Sequence, residues 1–385
     1  MKKTQETQKK NDITKQAVLY MAFELSNSNW KLAFSDGSKV RYVTIDARKL
    51  YQIKNEIGKA MKRFGLNDDV KILSCYEAGR DGFWLHRYLL SCKIENLVVD
   101  SSSIEVNRRK RRAKTDRIDA GKLLGMLMRY HGGERKVWSV VRVPSVEQED
   151  WRNLGRELRT LKKERTMHSN RIKGLLIQHG IVIAPPSTLR FTRELERART
   201  WDGKKLSDDF KARIVREHKR LELLDEQINA LKKERKERVK TASKPCFAQV
   251  AQLMMLKGIG PESAWDFVME FFGWRDFKNR KQVAAMAGLT PTPYDSGTSF
   301  REQGISKEGN GRIRMLSVEI AWCWLRFQPQ SKLSQWFNKR FAKGGKRMRK
   351  IGTVALARRL LIDLWRYLTK GIVPEGACFA RSRGW

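Results

Sequence analysis

The chain has 385 residues, 41% of them apolar, so it is long enough for more than one domain and rich enough in core-forming side chains to fold. Its 80 lysines and arginines against 42 aspartates and glutamates leave a formal charge of +38, a self-repulsion that an extended polyanion relieves, so nucleic acid is the expected partner. The chain has no run of about 18 apolar residues to span a bilayer, and "MKKTQETQKKND" lacks the apolar stretch of a secretory signal; with five scattered cysteines and five scattered histidines it reads as a soluble intracellular protein without a disulfide framework or zinc site.

Residues 1–16 form a polar tail. Three segments rich in strand formers follow, "AVLYMAFEL" (17–25), "WKLAFSD" (30–36) and "KVRYVTI" (39–45), joined by the turn-forming "SNSN" and "DGS", which predicts an antiparallel meander. Leu50, Ile53, Ile57 and Met61 recur at helical spacing within 48–64. "VKILSCYEAG" (70–79) reads as a buried strand ending at glycine, "FWLHRYLLSC" as a helix, "NLVVDS" (96–101) as a further strand and "DRIDAGKLLGMLMRY" as a helix from Asp116. The order β-β-β-α-β-α-β-α over 17–144 resembles that of the ribonuclease H-like, or RuvC-like, nucleases and integrases, an α/β fold with its first and fourth strands side by side.

From Ser145 the texture changes to long, charged segments of helical period, marked by Leu154, Leu158 and Leu161 and then by Leu221, Leu224, Ile228 and Leu231. They predict a helical coiled-coil region with linker over 145–245, folded as a hairpin or used as a dimer coil. The remainder, 246–385, reads as a mostly α C-terminal domain. In it "LMMLKGIGPESAWDFVMEF" (253–271) has the form of a helix-hairpin-helix, "AAMAGLTPTPYDSGTSF" a Pro- and Gly-rich loop, "KRFAKGGKRMRK" (339–350) a basic tail with seven bases in twelve residues, and "TVALARRLLIDLWRYL" a closing amphipathic helix.

The chemistry centres on "RRKRRAKTDRIDA" (108–120), seven bases in thirteen residues around two aspartates. Asp116 and Asp119, behind a fair N-cap at Thr115, share one helical face. Acids in a first turn are also favoured by the helix dipole alone, by about 0.3–1 kcal/mol each. A phosphoryl-transfer site, however, needs both carboxylates to hold Mg²⁺ and bases to hold the phosphodiester. Glu24 on the first strand and Glu77 at the end of the fourth are the remaining candidate ligands. Arg108, Arg109, Lys110, Arg111, Arg112 and Lys114 are candidate backbone contacts. In the C-terminal domain Lys257, Gly258 and Gly260 have the pattern of a phosphate-binding turn. Ser296 in "YDSGTSF" is a candidate nucleophile, backed by Arg301, Lys307, Arg312 and Arg314; a serine beside glycine is commonly a turn residue, and an activator for it is not visible.

Taken together, "YEAGRDGFWLHR", "KTDRIDAGKL", "LKGIGPESA", "AGLTPTPYDSG" and "ISKEGNGRIR" resemble the successive motifs of the insertion-sequence-110 family of bacterial transposases, from about residue 17 to 374. The resemblance implies a cytoplasmic, nucleoid-associated DNA recombinase with a RuvC-like domain bearing a DEDD quartet, a coiled-coil insertion, and a transposase domain with an essential serine. It further implies Mg²⁺ as cofactor, a covalent serine–DNA intermediate, double-stranded donor and target DNA, a noncoding bridge RNA that pairs with both, and a homo-oligomer, dimer or tetramer. Carried over, the quartet falls on Glu24, Glu77, Asp116 and Asp119, and the serine on Ser296. The family's first acid is typically aspartate, whereas this chain has Glu24 in "AFEL". The alternatives are a RuvC-like structure-selective endonuclease that uses water, and a non-catalytic nucleic-acid-binding protein whose acids only cap a helix.

Overall fold

Apolar side chains on both faces of the first strand require cover on both sides, and the fold of the N-terminal half follows from that. The computed structural model describes residues 17–105, 116–297 and 299–380, with the backbone alone for residues 116 and 299–302. The chain divides between Val143 and Pro144 into two compact units. The first holds one five-stranded sheet built from β1 (Val18–Leu25), β2 (Asn29–Ser35), β3 (Val40–Asp46), β4 (Lys71–Glu77) and β5 (Glu95–Val99), in the order β3-β2-β1-β4-β5. β1, β2 and β3 pair antiparallel, while β4 runs parallel to β1 and to β5, so the first and fourth strands are neighbours.

Leu19, Met21 and Phe23 of β1 face one side with Trp30, Leu32 and Phe34 of β2, and helices α1 (Leu50–Phe64) and α2 (Trp84–Ser91) cover them through Ile53, Ile57, Leu85 and Leu89. The alternate residues, Val18 and Ala22 with Ala33, Leu73, Cys75 and Val99, face α3 (Asp116–His131), which buries Ala120, Leu123, Leu124 and Leu127 on them. Strand periodicity of two thus sorts every residue of β1 and β4 to one layer or the other.

The second unit begins with α4 (Val146–Ile177), started by a reciprocal capping box between Ser145 and Gln148. α4 folds back on α6 (Asp208–Thr241) as an antiparallel hairpin: Arg165 pairs with Asp225, and Arg171 with Glu217 at 3.2 Å. The short α5 (Phe191–Arg197) closes the far end with Phe191 and Leu195 against Ile172 and Ile214. Then come α7 (Pro245–Met254), α8 (Pro261–Phe267) extended by a π turn over Val268–Phe272, α9 (Arg280–Met286), β6 (Pro291–Ser296), β7 (Ser299–Ile305), α10 (Gly311–Phe327), α11 (Lys332–Phe341) and α12 (Lys346–Lys370). Trp265, Phe267, Phe271, Trp324, Phe337, Leu356 and Leu360 form its core.

Two local expectations are corrected here. The stretch expected to be a loop around Ser296 is the β6–β7 hairpin. Pro291 and Pro293 argue against a strand inside a sheet, but both strands of a two-stranded ribbon are edges and the register shifts between these two residues, positions where proline is tolerated. The closing helix starts at Lys346, not Thr353, so the basic tail supplies the end of α11 and the first turns of α12. Among the described residues no helix is long and apolar enough to cross a membrane.

Candidate active site

The parallel register that sets Phe23 beside Tyr76 leaves Glu24 and Glu77 as the next residues on adjacent strands, about 4.8 Å apart at the backbone. Glu24 has the parity of Val18 and Ala22, and Glu77 that of Leu73 and Cys75, so both sit on the face that α3 covers. α3 runs opposite to β1. Tyr20 near the start of β1 meets His131 at the end of α3, hydroxyl to Nδ1 at 2.8 Å, while the Cys75 thiol lies 3.7 Å from the Leu123 carbonyl. From that level Asp119 is four residues back along the helix, about 6 Å, and Glu77 two residues on along the strand, about 6.6 Å. The start of α3 therefore lies at the same end of the sheet as Glu24 and Glu77.

Asp119 is half-buried and Glu77 exposed. Glu24 sits opposite Lys31 of β2. Carboxylate oxygens are the hard donors that Mg²⁺ prefers, so the donor set fits that ion. Among the described residues no three His, Cys, Asp or Glu side chains close into a metal-holding group; the Asp116 carboxylate, like the basic run Arg108, Arg109, Lys110, Arg111, Arg112 and Lys114, lies outside them. Besides Lys31 across from Glu24, a base on α3 itself is described. Arg117 stacks over Tyr42 at 4.7 Å, and a side chain at Gly121 would meet the Tyr42 hydroxyl at 2.5 Å, so glycine lets α3 settle there. A further carboxylate at this edge, Asp100 after β5, caps its own turn by accepting from Ser102 N–H at 3.0 Å.

Ser296 belongs to the second unit. It is the last residue of β6, opposite Ser299, at an exposed hairpin tip whose next residue, Gly297, has φ +56°. A positive φ at the first turn position suits the tight turns that match strand twist. Of its expected basic backing, Arg301 lies across from Tyr294 on β7 and is described in backbone only. Lys307 is exposed. Arg314 braces the loop from inside, donating to the carbonyls of Lys307 at 2.8 Å and Ala287 at 3.3 Å. Arg312 is held by the buried carboxylate of Asp266.

The α7–α8 turn has Gly258 at φ +98°, packed so closely on Phe327 that an added Cβ would approach it to 3.3 Å. Much of its backbone is already engaged. Lys257 N–H donates to Cys378 O at 3.1 Å, Ala380 N–H to Met255 O at 2.7 Å, and buried Gln328 ties both strands, donating to the carbonyls of Lys257 at 2.8 Å and Cys378 at 2.7 Å. The returning C-terminal segment thus covers one side of the turn, leaving Gly260, the residue before Pro261, with open space around its α-carbon.

The stretch from 250 to 335, which contains this turn, the Ser296 hairpin and α10, matches the family model described as Transposase IS116/IS110/IS902 family. The Sinorhizobium fredii protein y4rJ, named as a transposase, is 42% identical over 374 residues, 93% of this chain and 94% of its own. The transposase for insertion sequence element IS1111A of Coxiella burnetii is 27% identical over 259 residues, 67% of each chain. The chain belongs to the IS116/IS110/IS902 family of transposases.

The transposase also holds a charged cluster that motif reading passes over. Asp266 and Glu270, one helical turn apart in the apolar "AWDFVMEFF", are buried where α4 and α6 dock. Arg156 forks onto Glu270 at 2.7 and 3.0 Å, with Arg152 and Arg159 each at 3.4 Å. Burial pushes the Glu270 carboxyl up, but the hydrogen bond from Arg156 and the charges of Arg152 and Arg159 outweigh it and hold the group below the usual range. For Asp266 burial wins over Arg312, and its pKa is raised. Arg235, 2% exposed, lies 4.5 Å over the Trp265 ring and is pulled down to about 10 by burial. The signal was present: acids inside an apolar run must find partners, and Arg152, Arg156 and Arg159 recur on one helical face.

Proposed function

We propose that this transposase cuts and rejoins DNA with Glu24, Glu77, Asp116 and Asp119 as Mg²⁺ ligands and Ser296 as the nucleophile, guided by a bridge RNA and working as a homo-oligomer. The single observation that carries the reading is the convergence of Glu24, Glu77 and the start of α3 at one end of the central strands of a sheet ordered β3-β2-β1-β4-β5. That strand order, three antiparallel then two parallel, supports a RuvC-like reading of the first unit. When bound, Mg²⁺ would supply charge stabilisation to oxygens of the phosphodiester; the four carboxylates would hold it, and the neighbouring bases would hold the strand.

Ser296 fits the nucleophile's role because an exposed tip on a short ribbon can reach into a DNA backbone. In the step, the Ser296 hydroxyl gives up its proton, its oxygen forms a bond to phosphorus, and the bond from phosphorus to the sugar oxygen breaks. The freed sugar hydroxyl takes up a proton. Attack by another strand's hydroxyl reverses the exchange, so the number of phosphate esters is conserved and rejoining needs no external energy.

The test uses supercoiled plasmids carrying the element's ends, with Mg²⁺ and RNA transcribed from its flanks. Ser296→Ala and Asp119→Ala are each expected to abolish recombinant joints. Cleavage left intact in Ser296→Ala would replace this reading with a water-using nuclease; joints left intact in Asp119→Ala would remove the acids from the chemistry.

A further inference from the structure

The second unit holds a trough of about 1510 Å³ between the base of the Ser296 hairpin, the start of α9 and the α11–α12 pair. Its floor is apolar: Leu289, Ile305, Trp336, Ile351 and Val354 line it. Its rim is cationic. Asp363 and Glu375 are each neutralised, by Arg366 at 3.2 Å and Lys332 at 2.7 Å. Arg280, Lys281, Arg340, Lys350, Arg358 and Arg359 line it too and make no ion pair among the described residues, leaving a surplus of positive charge over a greasy bed. Arg359 lies over the Trp336 ring at 3.9 Å, which extends the flat floor.

We propose that this trough is the bed of an unpaired DNA strand. The inference rests on the reading of the chain as a DNA-cutting transposase and names the form of substrate at one place in it. A duplex keeps its base faces stacked inside and shows only base edges in its grooves, so it would leave the apolar floor without a flat partner. A single strand offers phosphates to the rim and flat base faces to the floor, the combination by which grooves of this kind hold unpaired nucleic acid. A second copy of the chain, at +38, would be repelled by the rim. Ser296 lies five residues along β6 from Pro291 at the trough's edge, about 17 Å away. The strand in the bed is thus within a few nucleotides of the hairpin tip, where strands must separate if one is to be exchanged.

The experiment measures binding of labelled oligothymidylate, oligouridylate and a mixed-sequence duplex to the full chain over a range of salt. A rim variant (Lys281→Gln, Lys350→Gln, Arg358→Gln) removes three exposed or half-exposed charges and is expected to weaken oligothymidylate binding tenfold or more. Its salt slope should fall by about 2, at roughly 0.7 per lost contact, while duplex binding changes less than twofold. A floor variant, Ile351→Asn at a position 49% exposed, should weaken the same strand with its salt slope unchanged. Unaltered unfolding temperatures exclude misfolding. The proposal is overturned if duplex and single strand weaken equally, if only oligouridylate is affected, or if polyglutamate displaces the strand as well as unlabelled oligothymidylate does. Ser296→Ala should retain strand binding; if this binding behaves as stated while no Ser296-dependent cleavage is found, the trough keeps its assignment and the recombination reading alone fails.

Discussion

Two sets of acids in this transposase have opposite fates. Asp266 and Glu270 are buried beneath four arginines and are part of the architecture that docks α4 and α6 on the C-terminal helices. Glu24, Glu77 and Asp119 instead stand half-buried or exposed at one end of a sheet whose interior is apolar. A carboxylate that a fold needs for its own integrity is surrounded by the fold's own cations. Under the proposed reading, acids placed beside one another at the strand ends would meet a cation that comes from outside. The difference teaches that the environment of an acid, more than its place in a motif, marks it as structural, and the proposed chemical role of the others is what substitution must test.

Substitutions can break this contrast. The largest effect is expected for Glu77→Ala combined with Asp119→Ala: DNA joining should fall by at least two orders of magnitude, the loss of about 3 kcal/mol of transition-state stabilisation. Unfolding temperature should change little, because relief of like-charge repulsion offsets the lost helix-dipole contribution of Asp119. Next comes Glu270→Ala, which leaves Arg152, Arg156 and Arg159 facing one another around a void and should cost about 3–5 kcal/mol of stability, read by chemical denaturation. Arg235→Met replaces a buried guanidinium whose Nε and Nη2 have no hydrogen-bond partner among the described residues with an apolar chain of similar length; stability should rise by about 1–3 kcal/mol. A fall there would mean that Arg235 compensates Asp266 more than it suffers from burial.

Acid titration sharpens the contrast at smaller amplitude. Glu270 is held below its unfolded pKa, so its ionisation stabilises the fold above that value, and the contribution is lost as pH falls through the folded pKa. Glu270→Gln should therefore lose less stability than the parent between about pH 5 and pH 3. Asp266 is raised, so the fold takes up its proton first and gains on acidification. Asp266→Asn should accordingly steepen the acid loss. Identical slopes for the two variants would show that the cluster titrates as one unit.

Much of the first unit is legible in the chain. β-branched and aromatic runs, turn residues and the alternation along 17–25 specify strands whose neighbours are then set by which faces must be covered. The positions of the candidate acids, at strand ends and in the first turn of α3, are equally readable, since the strands and the helix that place them are. The β6–β7 ribbon is not, because Pro291, Pro293 and Gly304 imitate a loop, and only the tight turn at Gly297 hints at pairing. Nor could the roles of Arg312 and Arg314 be read from their motif. A basic helix start looks the same whether its guanidinium meets a phosphate or, as with Arg312, a buried aspartate 46 residues earlier in the chain. Long-range partners decide that, and they exist only once the second unit has folded.

The central claim, that the serine at the hairpin tip attacks DNA with the help of the edge acids, is tested most directly by trapping the adduct. The purified chain is incubated with Mg²⁺, flank-derived RNA and DNA bearing the element's junction, then denatured, digested and analysed by mass spectrometry. A nucleotide bonded to Ser296, absent from Ser296→Ala and from Glu77→Ala with Asp119→Ala, is the predicted result. Cut DNA with no nucleotide on Ser296 would contradict it.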